Sequence, residues 1–403
     1  MTSFAKVSIK GKMSFMTDRT KVVHIITGLA TGGAETMLLK LLTGMDDTHF
    51  QNSVIALTDA GPIGDSIREL GIPLTVLGMS RSLPMPWDFF RLYRQVRKHK
   101  PHVVQTWLYH ADFLGYFAAR LAGVKSIAWN IRCSYMGQDY YRGISGLMIK
   151  ILAALSPRPE AVIVNSTAGR ALHKSLGYHP PKWQIIPNGF DTDEFKASTE
   201  FRTTIRDELG ISPNANVVGM VGRWDPVKGH DVFLKAASHF CKAQPDCQFV
   251  LVGAGCDDSN VELLENASPG LRLNLHLLGE RNDIPAITAA LDIAVCASIG
   301  EGFPNILGEA MACEVPCVAT DVGDCSDIIA DTGRIVPSGD DLAMAEAWAG
   351  LLALPVDEFT ELGRKARQRV DHFYSIGNVI ATYEKLYKKL AGAKDHDKSV
   401  TSR

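Results

Sequence analysis

Lys21-Val-Val-His-Ile-Ile-Thr-Gly-Leu-Ala-Thr-Gly-Gly33 joins an apolar, β-branched run to a glycine-rich turn. Residues 21–26 are predicted to form a buried strand, because β-branched side chains pack well on a pleated surface. A helix is predicted from Thr36, so the stretch has the strand–turn–helix order of an α/β sheet. The same order returns at residues 216–229, where an apolar strand leads into a second glycine-rich turn. The chain is therefore predicted to build two sheets, each starting with such a unit.

Strands and helices alternate through both halves of the chain. Further strands are predicted at residues 51–57, 73–77, 102–106, 125–129, 161–164, 248–252, 275–278, 293–297 and 316–320. Helices are predicted at residues 63–70, 88–100, 111–121 and 230–240. Such alternation predicts parallel sheets covered by helices on both faces, in which ligands bind at the carboxyl ends of the strands. The predicted fold class is α/β, with two doubly wound, Rossmann-like domains that face each other across a cleft.

Domain boundaries follow from composition. Turn-forming residues at 185–193 predict a linker. The predicted segments are a polar N-terminal extension (1–20), a first domain (21–189), a second domain (190–375), an amphipathic helix returning towards the first domain (376–392) and a polar tail (393–403). No apolar run approaches the roughly 20 residues needed to cross a bilayer, and residues 1–20 lack the apolar core of a signal peptide. We therefore expect a cytoplasmic protein, with Met1, Met13 and Met16 as alternative starts.

Charge is distributed unevenly along the chain. The net charge is −2, but residues 1–190 hold 22 of the 42 basic residues and 11 of the 44 acidic residues. The first half therefore carries +11 and the remainder −13. A basic half favours an anionic ligand or an anionic membrane surface. Predicted helix 88–100 mixes aromatic residues with five Lys and Arg residues, which favours membrane contact; a solvated surface helix is the alternative.

Metal and disulfide chemistry are not favoured. Eight cysteines without paired spacing predict free thiols in a reducing compartment. Cys313, Cys317 and Cys325 could be metal ligands, but Cys317 lies in an apolar run, so buried thiols are the favoured interpretation. Asp191 and Asp193 form a D-x-D pair, but it falls in the linker without a strand before it. We therefore predict no metal site.

The run Glu301-Gly-Phe-Pro-Asn-Ile-Leu-Gly-Glu309 places two acids on either side of a turn and the start of a predicted helix. Backbone N–H groups at such a turn can hold a phosphate. A carboxylate on either side can accept hydrogen bonds from sugar hydroxyls. The layout suits a nucleotide-sugar, which is a diphosphate with a sugar at each end. A loop with two solvated acids is the alternative.

A second chemical motif is Val221-Gly-Arg-Trp-Asp-Pro-Val-Lys-Gly229, which follows the first strand of the second domain. Arg223 and Lys228 can together neutralise a diphosphate leaving group, Arg as a bidentate donor and Lys as a point charge. An ordinary basic loop is the alternative.

Glycines mark three further strand-end loops. Gly28-Leu-Ala-Thr-Gly-Gly33 allows close approach to the backbone, but it is not the G-x-G-x-x-G fingerprint of dinucleotide binding. The loops at residues 251–255 and 278–283 are candidates to line a nucleobase pocket, and the second contains Arg281.

In this order, the motifs resemble the retaining glycosyltransferases of family 4, which have the GT-B fold. The resemblance extends over about residues 21–390. In the first domain it rests on His24-Ile-Ile-Thr-Gly-Leu-Ala-Thr-Gly-Gly-Ala-Glu35, Gln105-Thr-Trp-Leu-Tyr-His-Ala-Asp-Phe-Leu-Gly115, Trp129-Asn-Ile-Arg132, Val164-Asn-Ser166 and Ile186-Pro-Asn-Gly-Phe-Asp191. In the second it rests on Gly-Arg-x4-Lys-Gly, Leu-Val-Gly-x-Gly and Glu-Gly-Phe-Pro-x3-Gly-Glu-Ala. Thr320-Asp-Val-Gly-Asp324 and Asp331-Thr-Gly333 are similar to O-antigen and capsule glycosyltransferases.

The resemblance implies a role for each matching residue. Arg223 and Lys228 would stabilise the departing nucleoside diphosphate. Glu301 would contact the transferred sugar, and Glu309 would accept the ribose hydroxyls. Donor binding would also involve Gly32, Gly33, Gly222, Gly302, Phe303, Ile306, Leu307 and Arg281. His110 would lie near the sugar, and Arg132 and Asn130 would contact the acceptor, with structural roles for His110 and Arg132 as the alternatives.

The implied activity is retaining transfer of a sugar from a nucleotide-sugar, with UDP-linked donors the commonest case. The acceptor would be a saccharide or lipid-linked saccharide in cell-surface polysaccharide or lipopolysaccharide biosynthesis, at the inner face of the cell membrane. No cofactor and no nucleic acid are implied. The alternatives are a sugar-nucleotide epimerase of the same fold, for which no convincing acid/base set is present, and a non-catalytic sugar-nucleotide-binding protein.

Overall fold

The computed structural model describes residues 19–80, 86–132 and 143–392. Within them the chain forms two parallel sheets, each with buried clusters on both faces. The prediction of two doubly wound, Rossmann-like domains is confirmed. Most of the N-terminal extension, the polar tail and Cys133 lie outside the described residues.

The first sheet has seven strands. They are β1 (Thr20–Ile26), β2 (Phe50–Ala56), β3 (Leu74–Val76), β4 (Val103–Trp107), β5 (Ser126–Ile131), β6 (Ala161–Val164) and β7 (Trp183–Ile185), and they run in the order β3-β2-β1-β4-β5-β6-β7. The helices among them are α1 (Gly33–Gly44), α2 (Gly61–Glu69), α3 (Pro86–His99), α4 (Tyr109–Leu121), α5 (Gly143–Leu155) and α6 (Thr167–Ser175).

The second sheet repeats this arrangement with six strands. They are β8 (Val217–Val221), β9 (Gln248–Val252), β10 (Leu275–Leu277), β11 (Ile293–Cys296), β12 (Cys317–Thr320) and β13 (Gly333–Val336), in the order β10-β9-β8-β11-β12-β13. The helices here are α7 (Thr199–Glu208), α8 (His230–Ala243), α9 (Val261–Asn266), α10 (Pro269–Arg272), α11 (Ile284–Ala290), α12 (Asn305–Ala312), α13 (Cys325–Ile329), α14 (Asp341–Leu352) and α15 (Val356–Phe373).

The order of the strands in the two sheets indicates where the candidate site lies. In each sheet the order reverses beside the first strand, because β1 lies between β2 and β4 and β8 lies between β9 and β11. Loops that leave such a switch point diverge and form a crevice, where ligands bind in doubly wound sheets. The predicted motifs at residues 28–33, 221–229 and 301–309 all follow strands at these two points.

Helix α16 (Ile376–Leu390) follows the second domain in sequence but lies on the first sheet. Its apolar side chains share a buried cluster with Val22, Ile26 and Leu38. The hydroxyl of Tyr387 donates to Gln105 Oε1 at 2.6 Å. The helix therefore completes one face of the first domain.

The chain crosses between the domains twice, at residues 186–190 and 374–376. The two crossings are joined, because the N–H of Phe190 donates to the carbonyl of Tyr374 at 2.9 Å and the N–H of Ile376 donates to the carbonyl of Phe190 at 2.8 Å. A Cβ on Gly189 would lie 2.9 Å from Ile376 Cα, so a larger residue would push the crossings apart.

The side chains that were considered as metal ligands have other environments in the structure. Cys313, Cys317 and Cys325 are buried and unpaired, which confirms their prediction as buried thiols. Asp191 Oδ1 accepts hydrogen bonds from the N–H groups of Asp193 and Glu194, so it stabilises a turn. Among the described residues, no three His, Cys, Asp or Glu side chains form a metal-binding group. In the same residues, no helix has the length and apolar character to span a membrane.

Candidate active site

A cleft of about 950 Å³ lies between the carboxyl edges of the two sheets. Its first wall consists of Gly33, Ala34, Glu35, Leu108, Arg132 and Asn165, with Asn188 at the crossing. Its second wall consists of Val221, Arg223, Asp225, Val227, Lys228, Gly300, Glu301, Gly302, Phe303, Pro304, Asn305, Ile306 and Glu309. The structure thus brings the predicted cations and both predicted acids into one cavity.

Three helices begin at this cleft without an N-cap side chain. The N-cap residues are Gly32 for α1, Leu108 for α4 and Pro304 for α12, and none of them caps its helix with a side-chain hydrogen bond. The first N–H groups of a helix have no partner within it and carry partial positive charge. The starts of α4 and α12 are therefore suited to an anionic ligand, whereas the first N–H groups of α1 already interact with the Glu35 carboxylate.

Both predicted phosphate-binding cations have carboxylate partners. Lys228 Nζ lies 2.6 Å from Glu301 Oε1, which also accepts from the Ser298 hydroxyl at 2.8 Å. The exposed guanidinium of Arg223 donates to Asp225 Oδ2 at 3.1 Å. The cleft thus holds alternating positive and negative groups along its second wall.

The loop geometry that presents Lys228 depends on Asp225 and Gly229. Asp225 accepts a hydrogen bond from the N–H of Val227 at 2.9 Å and so caps the single 3-10 turn Pro226–Lys228. That N–H and the Arg223 guanidinium lower the pKa of Asp225. Gly229 follows with φ +72°, and a Cβ there would lie 2.0 Å from the carbonyl oxygen of Ala297. Only glycine fits this approach, which brings Lys228 to Glu301.

Glu309 lies one turn inside α12 and faces the cleft. Burial raises the pKa of its carboxyl, and the Lys40 ammonium of the first domain acts in the opposite direction. No hydrogen bond from another described side chain reaches it. The carboxylate is therefore available to a ligand hydroxyl.

The other predicted donor residues divide into two groups. Gly33, Gly302, Phe303 and Ile306 line the cleft. A Cβ on Gly33 would meet no atom within 4 Å, so the space beside it is open to a ligand.

The second group does not line the cleft. Leu307 is fully buried. Arg281 is bound by Glu208 at 2.6 Å and Asp283 at 2.6 Å. Gly32 leaves space for the Glu35 side chain, because a Cβ at position 32 would lie 2.5 Å from Glu35 Oε2. Gly222 also falls outside the cleft lining, next to Arg223.

Of the two residues predicted to bind an acceptor, Arg132 lines the cleft and Asn130 lies behind it. Arg132 donates to the Tyr383 hydroxyl at 3.3 Å and to Asn188 Oδ1, with its guanidinium 5.6 Å from the Trp107 ring centroid. Asn130 is fully buried and donates to the same Tyr383 hydroxyl at 3.1 Å. Its burial prevents the predicted contact with the acceptor, and its contact with Tyr383 supports Arg132 instead.

His110 is the second residue of α4 and is exposed. It does not line the cleft, whereas Leu108, two residues earlier, does. The structure therefore brings together Arg223, Lys228 and Glu301 of the predicted catalytic set, but not His110.

Two polar residues of the first wall had no predicted role. Glu35 is in the first turn of α1, where burial raises its pKa and Arg132 acts in the opposite direction. Asn165 is 6% exposed, and its Oδ1 has no partner among the described residues. Both fall within motifs at strand ends, but nothing in the local pattern showed that these side chains face the second domain.

Comparisons with known proteins identify the family of the chain. The model of Glycosyltransferase Family 4 matches residues 31–194, and the model of Glycosyl transferases group 1 matches residues 215–353. A UDP-Gal:alpha-D-GlcNAc-diphosphoundecaprenol alpha-1,3-galactosyltransferase from Escherichia coli is 27% identical over 312 residues, covering 75% of this chain and 80% of the relative. A phosphatidyl-myo-inositol mannosyltransferase from Mycobacterium leprae is 26% identical over 369 residues, covering 88% and 93%.

Solved structures show the same fold. The crystal structure of HepE from Anabaena in complex with UDP aligns with a TM-score of 0.81 at 22% identity, covering 92% of this chain and 100% of that one. HepE in complex with UDP-glucose aligns with a TM-score of 0.78 at 21% identity and the same coverage.

Proposed function

Since this chain belongs to the family 4 glycosyltransferases, which have the GT-B fold, we propose that it is a retaining, metal-independent hexosyltransferase with a UDP-linked donor. The observation that carries the proposal is the second wall of the cleft. There, Lys228, Arg223 and the uncapped start of α12 offer positive charge between two carboxylates, Glu301 and Glu309. A nucleotide-sugar presents its groups in the complementary order of ribose, diphosphate and sugar.

Each donor group has a partner of suitable chemistry. Glu309 would accept hydrogen bonds from the ribose hydroxyls, because a carboxylate is a strong acceptor for neutral donors. The N–H groups at the start of α12 would bind the diphosphate. Glu301 would bind the hydroxyls of the transferred sugar. The relative HepE, solved with UDP and with UDP-glucose, supports a uridine nucleotide.

The proposed reaction needs little covalent chemistry from the protein. The bond between the anomeric carbon and the phosphate oxygen breaks as the acceptor oxygen bonds to that carbon from the same face. The acceptor proton passes to the departing phosphate. Lys228 and Arg223 would stabilise the charge on the nucleoside diphosphate, and the closed cleft would hold the two substrates in position.

For the acceptor, we favour a lipid-linked saccharide in cell-surface polysaccharide or lipopolysaccharide biosynthesis. Arg132 is a cation that faces the cleft and suits an anionic group such as a diphosphate link. Glu35, on the same wall, suits a saccharide hydroxyl. The Escherichia coli relative, named for a diphosphoundecaprenol-linked acceptor, supports this class.

A surface of the first domain suits contact with the membrane that would carry such an acceptor. Helices α3, α4 and α5 cover one face of the first sheet, and each exposes large apolar side chains. These include Trp87 and Phe90 on α3, Leu121 on α4 and Leu147 on α5. The basic residues of α3 add attraction to anionic lipid.

The direct test is a thermal-shift screen of UDP-, GDP-, dTDP- and CMP-sugars, because a ligand that binds only the folded state raises the melting temperature. We expect UDP-sugars to stabilise the protein most. The stabilising donor is then incubated with saccharide diphospho-lipid acceptors, and the anomeric configuration of the product is read by NMR. An inverted product, or a donor sugar that is epimerised without transfer, would refute the proposal.

A further inference from the structure

Asp324 of the second domain binds the backbone of the first domain. It lies between β12 and α13 and is 6% exposed. Its Oδ2 accepts a hydrogen bond from the N–H of Thr167 at 2.6 Å, and its Oδ1 accepts one from the N–H of Ala168 at 2.8 Å. These are the first two N–H groups of α6, which have no partner within the helix. One carboxylate thus joins the two domains.

The loop that contains Asp324 also contacts the turn between Glu301 and Glu309. The N–H of Asp324 donates to the carbonyl of Gly302 at 3.0 Å. Gly323 has φ +58°, and a Cβ there would lie 2.6 Å from the carbonyl oxygen of Glu301. Only glycine allows this approach. Asp324 and the turn that would bind the donor are therefore held together.

On the first domain, α6 begins directly after a cleft residue. Asn165 lines the cleft, and its buried Oδ1 has no partner among the described residues. A buried acceptor without a partner costs free energy, so a ligand donor is its expected partner. Ser166 then caps α6 by accepting from the N–H of Gly169 at 2.9 Å. By holding the start of α6, Asp324 sets the position of Asn165 relative to the opposite wall.

We propose that Asp324 is an interdomain positioning residue. Its carboxylate binds the start of α6 and its backbone binds Gly302, so it keeps the two walls of the cleft at the separation at which one substrate contacts both. The expected effect of this contact on kcat rests on the function proposed above, glycosyl transfer across the cleft. Its effect on the separation of the domains does not depend on that function.

Two variants weaken the contact from opposite sides. Asp324→Asn replaces one acceptor oxygen by an amide nitrogen, which cannot accept from an N–H group. Thr167→Pro removes the facing N–H, and proline is favourable at the first position of a helix. The extended backbone of Ser166, with φ −149° and ψ 153°, suits the residue before a proline. The matched controls are Asp321→Asn, an exposed carboxylate in the same loop, and Thr167→Ala, which keeps the N–H.

The first readout is small-angle X-ray scattering of the full-length protein, with and without UDP. We expect Asp324→Asn and Thr167→Pro to increase the radius of gyration, whereas both controls match the wild type. The effect of the double variant should be smaller than the sum of the two single effects, because both substitutions weaken the same contact. Equal radii for Asp324→Asn and Asp321→Asn, or additive effects in the double variant, would overturn the assignment.

The second readout separates positioning from folding. We expect kcat to fall about tenfold in Asp324→Asn and Thr167→Pro, the order of effect of one hydrogen bond to a charged group. The Kd for UDP should stay close to the wild-type value, because the residues proposed to hold the nucleotide lie on the second domain. Loss of UDP affinity and of melting temperature in parallel with kcat would indicate a purely structural role and overturn the proposal. If the wild-type protein does not bind UDP, the donor assignment fails, and scattering of the ligand-free variants alone decides the role of Asp324.

Discussion

At the scale of single residues, two cations on the second wall of the cleft form ion pairs with carboxylates. Lys228 is paired with Glu301 and Arg223 with Asp225. Each carboxylate has a further donor, the Ser298 hydroxyl for Glu301 and the Val227 N–H for Asp225. These donors would hold the carboxylates in place when the cations turn towards a diphosphate. In the proposed reaction, this arrangement would be preorganised for the charge that develops on the leaving group.

Lys228→Ala should reduce kcat by about 10²–10³-fold, or roughly 2.7–4 kcal/mol, because it removes a group that stabilises the leaving group. Initial rates at saturating donor measure the effect. Lys235→Ala is the matched control, since Lys235 is an exposed lysine of α8 that pairs with Asp231. Melting temperatures of both variants must accompany the rates, because the substitution removes the cation that is paired with Glu301. Near-normal kcat in a folded Lys228→Ala protein would contradict the phosphate role.

Glu309→Gln should stabilise the ligand-free protein while weakening UDP binding. Burial raises the pKa of Glu309 in the folded state above its unfolded value, so its contribution to stability is present at low pH and is lost as the pH rises through the folded pKa. A neutral glutamine avoids that loss, and we expect a rise of about 2 °C in melting temperature at pH 8, with a smaller rise at pH 5.

The same variant should bind UDP about 10–100-fold more weakly, because hydrogen bonds from the ribose to a charged acceptor are lost. Calorimetry measures the affinity. Glu262→Gln, an exposed acid on α9, is the control. Unchanged UDP affinity in Glu309→Gln would remove the ribose role.

At the scale of elements, the apolar pattern was sufficient for the central strands and for two of the four edge strands, β3 and β10. The strands β7 and β13 were not predicted. Both are short edge strands: β7 is half-buried and follows two prolines, and β13 begins at Gly333. Edge strands lack the continuous apolar run that marks a central parallel strand. The helix α16 was predicted from its amphipathic pattern, and its contacts with the first sheet lead to a test.

Two tyrosines one turn apart on α16 should have separable effects. The Tyr383 hydroxyl accepts from Arg132, so Tyr383→Phe should raise the KM for the acceptor several-fold and leave the Kd for UDP unchanged. The Tyr387 hydroxyl donates to buried Gln105, so Tyr387→Phe should lower the free energy of unfolding by about 1–3 kcal/mol and leave KM unchanged. Steady-state kinetics and urea unfolding measure the two effects. Identical behaviour of the two variants would contradict the separate assignments.

At the scale of the whole molecule, the cleft depends on contacts that join the domains at several points. The paired crossings at Phe190 and Ile376 join them at one side, and Asn188 joins Asn305 at 2.5 Å. Asp324 joins the start of α6 to the second domain. These contacts are polar, which is typical of interfaces between domains that move relative to one another.

The whole protein is expected to float with liposomes that contain anionic lipid. The apolar side chains of α3 would insert into the interface while its basic residues attract the headgroups. Trp87→Glu with Phe90→Glu should abolish flotation. Leu273→Glu, at an equally exposed apolar residue of the second domain, is the control. Equal recovery on neutral and anionic vesicles, or no flotation of the wild-type protein, would argue against the membrane surface.

The sequence by itself determined the two parallel sheets and the strand-end loops that carry Arg223, Lys228, Glu301 and Glu309. It could do so because burial on both faces leaves a local apolar pattern, and because ligands of such sheets bind where the strands end. Only the tertiary structure decided which loops meet. In that structure Lys228 pairs with Glu301, Arg281 lies outside the cleft and Asn130 lies behind Arg132.

The tertiary structure also brought Glu35, Asn165 and Asp324 to the boundary between the domains. The physical reason is that contacts between domains join residues far apart in the chain. Asp324 and Thr167, for example, are separated by 157 positions. The local apolar pattern indicates whether a residue is buried, but it does not indicate which distant residues it contacts.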